Sequence, residues 1–148
     1  PCIWKEDRIV GKPVTIGGKD YKITLVNIGN PHCVVFSEKV DAVDLGTVGP
    51  EFENCEYFPE RINAEFIRVV NKVTIKMRVW ERGNGETWSC GTGAAAAVVA
   101  AVLGGYCEQD TNVTVKLRGG DLVVNYHSDG DVELMGSVKT VYEGRLEI

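Results

Sequence analysis

One segment of the chain contains no polar side chain: residues 94–103, with the sequence AAAAVVAAVL. A helix that is apolar on every face must be buried on every face. The segment is about ten residues long, whereas a helix needs about 20 residues to span a bilayer. We therefore predict a central helix that is wrapped by strands and that ends at Gly104 and Gly105.

Alternating apolar and polar residues predict strands on both sides of this helix. The alternation is clearest from Val73 to Trp80, where apolar residues occupy every second position, a pattern typical of a half-buried strand. A short helix is predicted to start at Pro50, since proline suits the first helical position. The other predicted strands are Tyr21–Ile28, Cys33–Phe36, Ala64–Val70, an antiparallel meander of Asn112–Leu117, Leu122–Tyr126 and Val132–Leu134, and finally Thr140–Ile148.

Composition and charge exclude several classes of function. A chain of 148 residues without an internal repeat or linker matches one domain, and its net charge of −5 argues against a nucleic-acid partner. No apolar run is long enough to predict a membrane span. The five cysteines include no Cys-x-x-Cys pair, which argues against a structural zinc site and indicates a reducing, cytoplasmic setting. The first residue is Pro1 rather than methionine, so we expect a fragment or an excised domain.

Cys90 lies four residues before the start of the apolar segment and is the strongest candidate for chemistry. Gly91, Thr92 and Gly93 follow it, so the thiol is predicted at a helix amino end, where free N–H groups and the helix dipole favour an anion. The same field favours a thiolate, so we expect a lowered pKa for Cys90, with the direction depending on how desolvated the cleft is, and a bound carboxylate beside the thiol. Most lone cysteines are inert core residues. Here, glycines on both sides let the backbone approach a ligand closely.

His32 and Glu81 are the candidate acid–base partners of this cysteine. A histidine beside a proline turn is more often structural, and a glutamate at a strand end is more often solvated. Asn30 and Asn63 are predicted in turn-like segments, where an asparagine usually caps a neighbouring backbone group. The G-x-G-x-x-A pattern at 91–96 does not follow a predicted strand, which argues against a dinucleotide site. Taken singly, none of these residues identifies a function.

In combination, the residues resemble the carboxy-terminal half of the diaminopimelate epimerase family. The matching motifs are GNPH at 29–32, Asn63 followed by Phe66, ERGNGETWSCGTG at 81–93 and VYEG at 141–144. The resemblance covers nearly the whole chain, and it implies that residues 1–148 form the carboxy-terminal domain of such a protein. It implies an α/β fold of the α+β type, in which a mixed, mostly antiparallel, barrel-like sheet wraps around a central apolar helix. The last strand, about 140–148, would pair with the amino-terminal domain.

The resemblance also implies an activity: the PLP-independent interconversion of LL- and meso-diaminopimelate for lysine and cell-wall synthesis, without a cofactor or a metal. Two cysteines, one from each half, would exchange a proton at one α-carbon. Cys90, Glu81 and His32 would be catalytic, and the substrate would be bound by Asn30, Asn63, Glu81, Arg82, Gly91 and Thr92. The amino-terminal half, with its own Cys-Gly-Asn-Gly motif, is absent from the chain. We therefore expect the isolated chain to be inactive, with a last strand that is free to pair with a second copy.

The sequence is also compatible with three other functions. A proline racemase-like enzyme would use the same fold on another amino acid, although Arg82 and the two asparagines favour a substrate with a second charged end. A Cys–His acyl-transfer enzyme would form a covalent acyl intermediate. A non-enzymatic binding module would bind diaminopimelate without exchanging its α-proton. Deuterium exchange at the α-carbon in D2O separates the epimerase from the last two.

Overall fold

A nine-stranded sheet supplies most of the regular structure in residues 2–147, the part of the chain that the computed structural model describes. The strands are β1 (Lys12–Ile16), β2 (Lys19–Asn27), β3 (Pro31–Phe36), β4 (Asn63–Asn71), β5 (Thr74–Glu81), β6 (Gly85–Thr87), β7 (Asn112–Leu117), β8 (Gly120–Tyr126) and β9 (Val132–Met135). The helices are α1 (Leu45–Glu53) and α2 (Gly91–Leu103), with a 3-10 turn at Val40–Ala42. Within this region, neither helix has the length and apolar character of a membrane span.

The sheet is mixed and mostly antiparallel, as predicted. Its order is β1-β2-β3-β4-β5-β7-β8-β9, with β6 paired to β5 off this path. Two neighbouring pairs are parallel, β3 with β4 and β5 with β7. A parallel pair needs a crossover connection, and the two crossovers contain α1 and α2 respectively. The sheet stays open, since β1 and β9 form the two ends of its described order.

Two hydrophobic cores lie on opposite faces of the central strands. Val34 and Ile67 pack in one core with α2, whereas their neighbours Val35 and Phe66 pack in the other core with α1. Successive side chains of a strand point to opposite faces, so β3 and β4 are apolar on both sides. The predicted central helix is confirmed: α2 packs against seven of the strands, and residues 93–101 are buried.

The strand β5 departs from the predicted half-buried pattern. Arg78 was predicted to face solvent, yet it is only 8% exposed. Its Nε and Nη2 donate to the two carboxylate oxygens of Glu86 at 2.9 and 3.1 Å, and its Nη1 donates to the carbonyl of Val43 at 2.6 Å. A bidentate carboxylate and a backbone acceptor satisfy the buried guanidinium. This strand is therefore covered on both faces.

Several predicted elements differ from the structure. The helix α1 begins at Leu45 rather than at Pro50, so the proline lies within the helix. The strands β1 and β6 were not predicted. The strand predicted for Thr140–Ile148 is not formed over residues 140–147, and Ile148 lies outside the described residues. In this segment Val141, Tyr142 and Leu146 are 83–88% exposed, because no part of the described chain packs against them.

Candidate active site

Cys90 lies at the amino end of the central helix, where the sequence predicts it. It is the residue that caps α2, with extended backbone angles of φ −144 and ψ 113. Its Sγ accepts a hydrogen bond from the N–H of Gly93 at 3.3 Å and lies 3.7 Å from the hydroxyl of Thr92. The first helical hydrogen bond is donated by Ala94 to the carbonyl of Cys90. The N–H groups of Gly91 and Thr92 therefore have no partner within the helix.

Close packing explains the two glycines that follow the cysteine. A Cβ on Gly93 would lie 2.9 Å from Oε1 of Glu65 and 3.1 Å from Sγ of Cys90. A Cβ on Gly91 would lie 3.0 Å from a methyl group of Leu134 on β9. In the structure, these glycines leave room for the side chains of Glu65, Cys90 and Leu134. The predicted approach of a ligand to their backbone stays a prediction.

His32 reaches the amino end of α2 through Asn30. It is the second residue of β3 and is fully buried. Its Nε2 lies 3.0 Å from Oδ1 of Asn30, and Nδ2 of Asn30 donates to the hydroxyl of Thr92 at 3.4 Å. Three residues predicted from two separate motifs are thus joined into one hydrogen-bonded path beside Cys90.

Glu65 completes this path and was missed in the sequence. In the parallel pairing of β3 with β4, Glu65 lies opposite Val34, two residues along the strand from His32 and on the same face. Its Oε1 lies 2.6 Å from Nδ1 of the imidazole. Both side chains are fully buried. Burial raises the pKa of Glu65, and the neighbouring His32 offsets only part of this effect. The signal in the sequence that could have identified Glu65 is a single acidic residue between the apolar residues Ala64 and Phe66.

Asn63 connects the two segments that carry the predicted site residues. It is the first residue of β4 and 6% exposed, so the predicted turn-like placement is wrong. Its Nδ2 donates to the carbonyl of Pro31 at 2.9 Å, and its Oδ1 accepts the N–H of Arg82 at 2.9 Å. One amide hydrogen stays available for a ligand, since the side-chain amide has two.

Glu81 and Arg82 lie where β5 ends. The hydroxyl of Thr87 donates to Oε1 of Glu81, which fixes the carboxylate across the turn into β6. The exposed guanidinium of Arg82 donates from Nη1 to the carbonyl of Glu60 at 3.1 Å. Its other N–H donors make no hydrogen bond with the described residues, and the planar guanidinium is of the type that binds carboxylates.

Glu53 of α1 is a second buried acid, and its carboxylate anchors the turn after β5 by a hydrogen bond. This residue was not predicted from the sequence. Its carboxylate accepts hydrogen bonds from Nε1 of Trp80 at 2.7 Å, the N–H of Gly83 at 2.8 Å and Nη1 of Arg61 at 3.0 Å. Burial alone would raise its pKa. The hydrogen bonds from Trp80 and Gly83, together with the charge of Arg61, bring the pKa of Glu53 below its ordinary value.

The expected lowered pKa of Cys90 is wrong. Burial of the half-exposed thiol has the largest effect and raises its pKa. The hydrogen bonds from Gly93 and Thr92 lower it, and the carboxylates of Glu81 and Glu65 raise it further. The net result is a pKa above that of an ordinary cysteine, so the thiol is protonated at neutral pH.

The arrangement offers a proton on sulfur and, beside it, backbone donors that have no partner within the helix. Thr92 is exposed and Cys90 is half-buried beside it, and Arg82 is an exposed cation at the end of β5. Backbone N–H groups at a helix amino end stabilise a carboxylate or a developing negative charge. Among residues 2–147, no group of three or more His, Cys, Asp or Glu side chains is placed to hold a metal ion.

Comparison with known proteins gives a consistent result. The family model described as diaminopimelate epimerase matches residues 24–141. The chain is 46% identical over 142 residues to a diaminopimelate epimerase of Nostoc punctiforme, which covers 95% of this chain and 50% of the relative. It is 50% identical over 137 residues to the enzyme of Pelotomaculum thermopropionicum, covering 93% and 48%. The chain thus spans about half the length of the relatives it matches.

A solved structure shares the fold. It is a phenazine biosynthesis protein of the PhzF family from Bacillus anthracis, with a TM-score of 0.51 and 20% sequence identity. The superposition covers 86% of this chain and 37% of that protein. At this identity the likeness concerns the fold alone.

Proposed function

The chain belongs to the diaminopimelate epimerase family, and from this membership we propose that it forms one half of a two-cysteine epimerase. The whole enzyme would interconvert LL- and meso-diaminopimelate without PLP or a metal. The observation that carries the proposal is the thiol of Cys90 at the amino end of α2, bordered by Asn30, Thr92 and Glu81. A cytoplasmic setting belongs to the same proposal and is supported by five free cysteines.

The proposed reaction needs one thiol on each face of the α-carbon. A thiolate on one face takes the α-proton and becomes a thiol, while a thiol on the other face gives its proton to the carbanion and becomes a thiolate. Cys90 supplies one of these groups, and the amino-terminal half would supply the other. A raised pKa keeps Cys90 protonated before substrate binds, which suits it to the donor role in one direction of the reaction.

The carbanion needs stabilisation, because the α-proton of an amino acid is very weakly acidic. The free N–H groups of Gly91 and Thr92 would bind the carboxylate at the reacting carbon, where negative charge develops. Glu81 would hold the ammonium group. Arg82 would hold a carboxylate of the substrate, since its planar guanidinium can bind both oxygens.

Two asparagines and His32 would complete the half-site. Asn30 lies between His32 and Thr92, and its amide would contact the polar groups of the substrate. Asn63 would offer its remaining amide hydrogen in the same way. His32 would assist proton transfer through its hydrogen-bonded path to Thr92 beside Cys90, since its Nδ1 and Nε2 already contact Glu65 and Asn30. The same contacts disfavour the Cys–His acyl-transfer alternative, in which the imidazole must take the proton of the thiol directly.

The proposed partner of residues 140–148 is the amino-terminal domain. The support is the exposure of Val138, Val141, Tyr142 and Leu146, which are 83–99% exposed although apolar. Large side chains of this kind gain stability when another domain covers them. A second copy of this chain is the competing occupant, and it would produce a homodimer.

The test uses the chain with and without the amino-terminal half. We expect no epimerisation of LL-diaminopimelate by the chain alone, as followed by chiral chromatography. General acid–base groups contribute about 10²–10⁴-fold each, and an oxyanion-type donor contributes about 10²–10³-fold. Loss of one cysteine and one helix terminus together therefore brings turnover below detection.

Mixing the two halves is expected to restore turnover, together with deuterium incorporation at the α-carbon in D2O. Cys90→Ala in the same mixture is expected to abolish both. Cys55→Ala is the matched control, because this thiol lies outside the site. Turnover by the chain alone, in proportion to its concentration, contradicts the half-site. A mixture that turns over proline instead of diaminopimelate assigns the chain to a racemase of the same fold.

A further inference from the structure

Glu65 is a carboxyl group in a position that packing alone would fill with an apolar side chain. It lies in the middle of β4, between Ala64 and Phe66, and is 0% exposed. Its Oε2 has no hydrogen-bond partner among the described residues. Burying a polar atom without a partner destabilises a protein. Such a group needs a compensating interaction, and the contact of Oε1 with His32 is the one the structure provides.

The contacts of the imidazole ring define where its hydrogens point. Oδ1 of Asn30 is an acceptor, so Nε2 of His32 must donate to it across 3.0 Å. On the other side of the ring, Nδ1 and Oε1 of Glu65 are 2.6 Å apart and share one proton. That proton can be on the carboxylate of a neutral pair or on the nitrogen of an ionised pair. Both forms keep Nε2–H directed at Asn30.

The orientation of the ring is passed on to the helix terminus. With its Oδ1 occupied by His32, Asn30 presents Nδ2 to the hydroxyl of Thr92 at 3.4 Å, and that hydroxyl is 3.7 Å from Sγ of Cys90. Glu65 also lies directly beneath this terminus, since a Cβ on Gly93 would meet its Oε1 at 2.9 Å.

The titratable groups around Glu65 come from three elements. His32 and Cys33 lie on the neighbouring β3, Glu81 at the end of β5, and Cys90 at the start of α2. Among them, His32 alone makes a hydrogen bond to the carboxyl group. Glu65 can therefore position another side chain of the site through the imidazole, apart from the effect of its charge on the pKa of Cys90.

We propose that Glu65 is a positioning residue of the site: its carboxyl group holds His32 with Nε2–H directed at Asn30, and thereby fixes the Asn30 amide and the Thr92 hydroxyl beside Cys90. Its part in catalysis rests on the proposed epimerase function. The orientation of the His32 ring does not depend on that function, and it can be measured in the chain alone.

The first experiment is proton NMR of the imidazole N–H groups. The chain has two histidines, so His127→Gln leaves the signals of His32 alone. A hydrogen bond of 2.6 Å in a fully buried pair is expected to give a far-downfield N–H signal that exchanges slowly with water. Glu65→Gln keeps the shape of the side chain but removes the acidic group, and we expect the signal to disappear.

Glu53→Gln is the matched control. It removes another buried carboxylate of the site region, one whose hydrogen bonds go to Trp80, Gly83 and Arg61 rather than to His32. The His32 signal should persist in this variant. Persistence of the signal in Glu65→Gln overturns the proposal. If Glu65→Gln does not fold, Glu65→Asp is measured instead; its shorter side chain must lengthen the contact and move the signal upfield, and an unchanged signal overturns the proposal.

The second experiment measures turnover in the mixture with the amino-terminal half. Because misplacement by about 1 Å can cost about 10²-fold in rate, we expect Glu65→Gln to lower kcat by about 10–100-fold with KM changed less than about threefold. Glu65→Asp should recover part of kcat. An unchanged kcat overturns the catalytic role. Absence of turnover with the parent chain, together with loss of the NMR signal in Glu65→Gln, contradicts the epimerase function and leaves the positioning of His32 supported.

Discussion

The groups around Cys90 have opposing effects on the pKa of its thiol. The helix terminus donates the N–H of Gly93 to its sulfur, which favours the thiolate. Burial and two carboxylates, Glu81 and Glu65, act in the opposite direction and prevail. Stabilisation by a helix amino end therefore does not by itself make a cysteine reactive. In the whole enzyme, substrate groups that neutralise Glu81 would lower the pKa of the thiol.

The first prediction concerns the reactivity of this thiol. In a variant with Cys90 as the only cysteine, alkylation at pH 7 should be slower than that of an unstructured cysteine peptide, because less thiolate is present. Glu81→Gln should speed the reaction by a few-fold, since it removes a negative charge that raises the pKa. The measurement is the alkylation rate across a pH series.

Glu108→Gln is the control for this experiment, because Glu108 is an exposed partner of Lys72. A Cys90 that reacts faster than the peptide at pH 7 contradicts the raised pKa. An unchanged rate in Glu81→Gln would exclude this carboxylate as a cause.

The second prediction concerns Gly93. Replacing glycine by alanine within a helix normally stabilises it by about 1 kcal/mol. Gly93→Ala should instead destabilise by about 1–3 kcal/mol, because its Cβ would meet Glu65 and Cys90 at 2.9 and 3.1 Å. Gly46→Ala in α1 is the matched control, since its nearest neighbour would be an Asp44 oxygen at 3.5 Å. Urea unfolding gives both values, and equal gains in stability would contradict the close packing.

At the level of single residues, the sequence predicted the site residues that belong to a motif and missed those that depend on packing. Cys90, His32, Glu81 and Arg82 lie in recognisable short patterns. Glu65 has no such pattern: its burial follows from the pairing of β4 with β3, whose residues are about 30 positions earlier. The sign of the Cys90 pKa shift was wrong for the same reason, because desolvation is created by distant segments.

At the level of elements, the site depends on how turns are attached to the sheet. The turn after β5 carries Glu81 and Arg82 and is held from two sides. Asn63 of β4 accepts the N–H of Arg82, and Glu53 of α1 accepts the N–H of Gly83. The helix α1 thus helps to fix the turn that carries Glu81 and Arg82, although none of its own residues lines the site.

The third prediction tests this attachment through Glu53→Gln. At pH 7 the variant should be less stable by about 1–3 kcal/mol, because the new amide places N–H groups where donors from Trp80 and Gly83 need an acceptor. The pKa of Glu53 is lowered in the folded chain. Its stabilisation is therefore present above the ordinary glutamate pKa of about 4.3 and is lost as the pH falls through the lowered value.

The measurement is the difference in unfolding free energy between parent and variant from pH 7 to pH 3. We expect the difference to shrink on acidification. A difference that stays constant over this range would show that the carboxylate charge of Glu53 does not contribute. Glu108→Gln, at an exposed ion pair, should change stability by less than about 0.5 kcal/mol at every pH.

Among the elements, those with strong periodicity were predicted well. The apolar helix, the strand β5 and the meander β7–β9 all lie close to their expected bounds. The strand β1 and the short β6 were missed, because each forms only by pairing with a neighbour. The start of α1 was misplaced, because a proline can also be accommodated further inside a helix when packing compensates for the lost hydrogen bond.

At the level of the whole molecule, the chain packs its sheet around α2 but leaves four large apolar side chains of its tail, residues 136–147, uncovered. Residues 136–147 carry no regular secondary structure. The proposed amino-terminal domain would cover these side chains, and no pattern within the chain can supply such a partner. The overall architecture was therefore predictable, whereas the pairing of the tail stays a prediction.

The fourth prediction concerns this tail. A truncation before Lys139 should change the unfolding free energy by less than about 1 kcal/mol, because the removed side chains are exposed. The same truncation should weaken binding of the amino-terminal half at least tenfold, measured by titration calorimetry. Equal affinity of both forms would contradict the proposed pairing. Light scattering of the full chain distinguishes a homodimer, which the truncation should then convert to a monomer.

The parallel pair of β5 with β7 has a consequence for the order of folding. It joins Thr74 to Thr114 and so closes a loop that contains Glu81, Cys90 and all of α2. Closing such a loop costs chain entropy before any contact within it is gained. The enclosed helix is apolar on every face and has no exposed side on which to form early. We therefore expect the residues around the thiol to assemble in the same late step as the sheet, rather than on a preformed local scaffold.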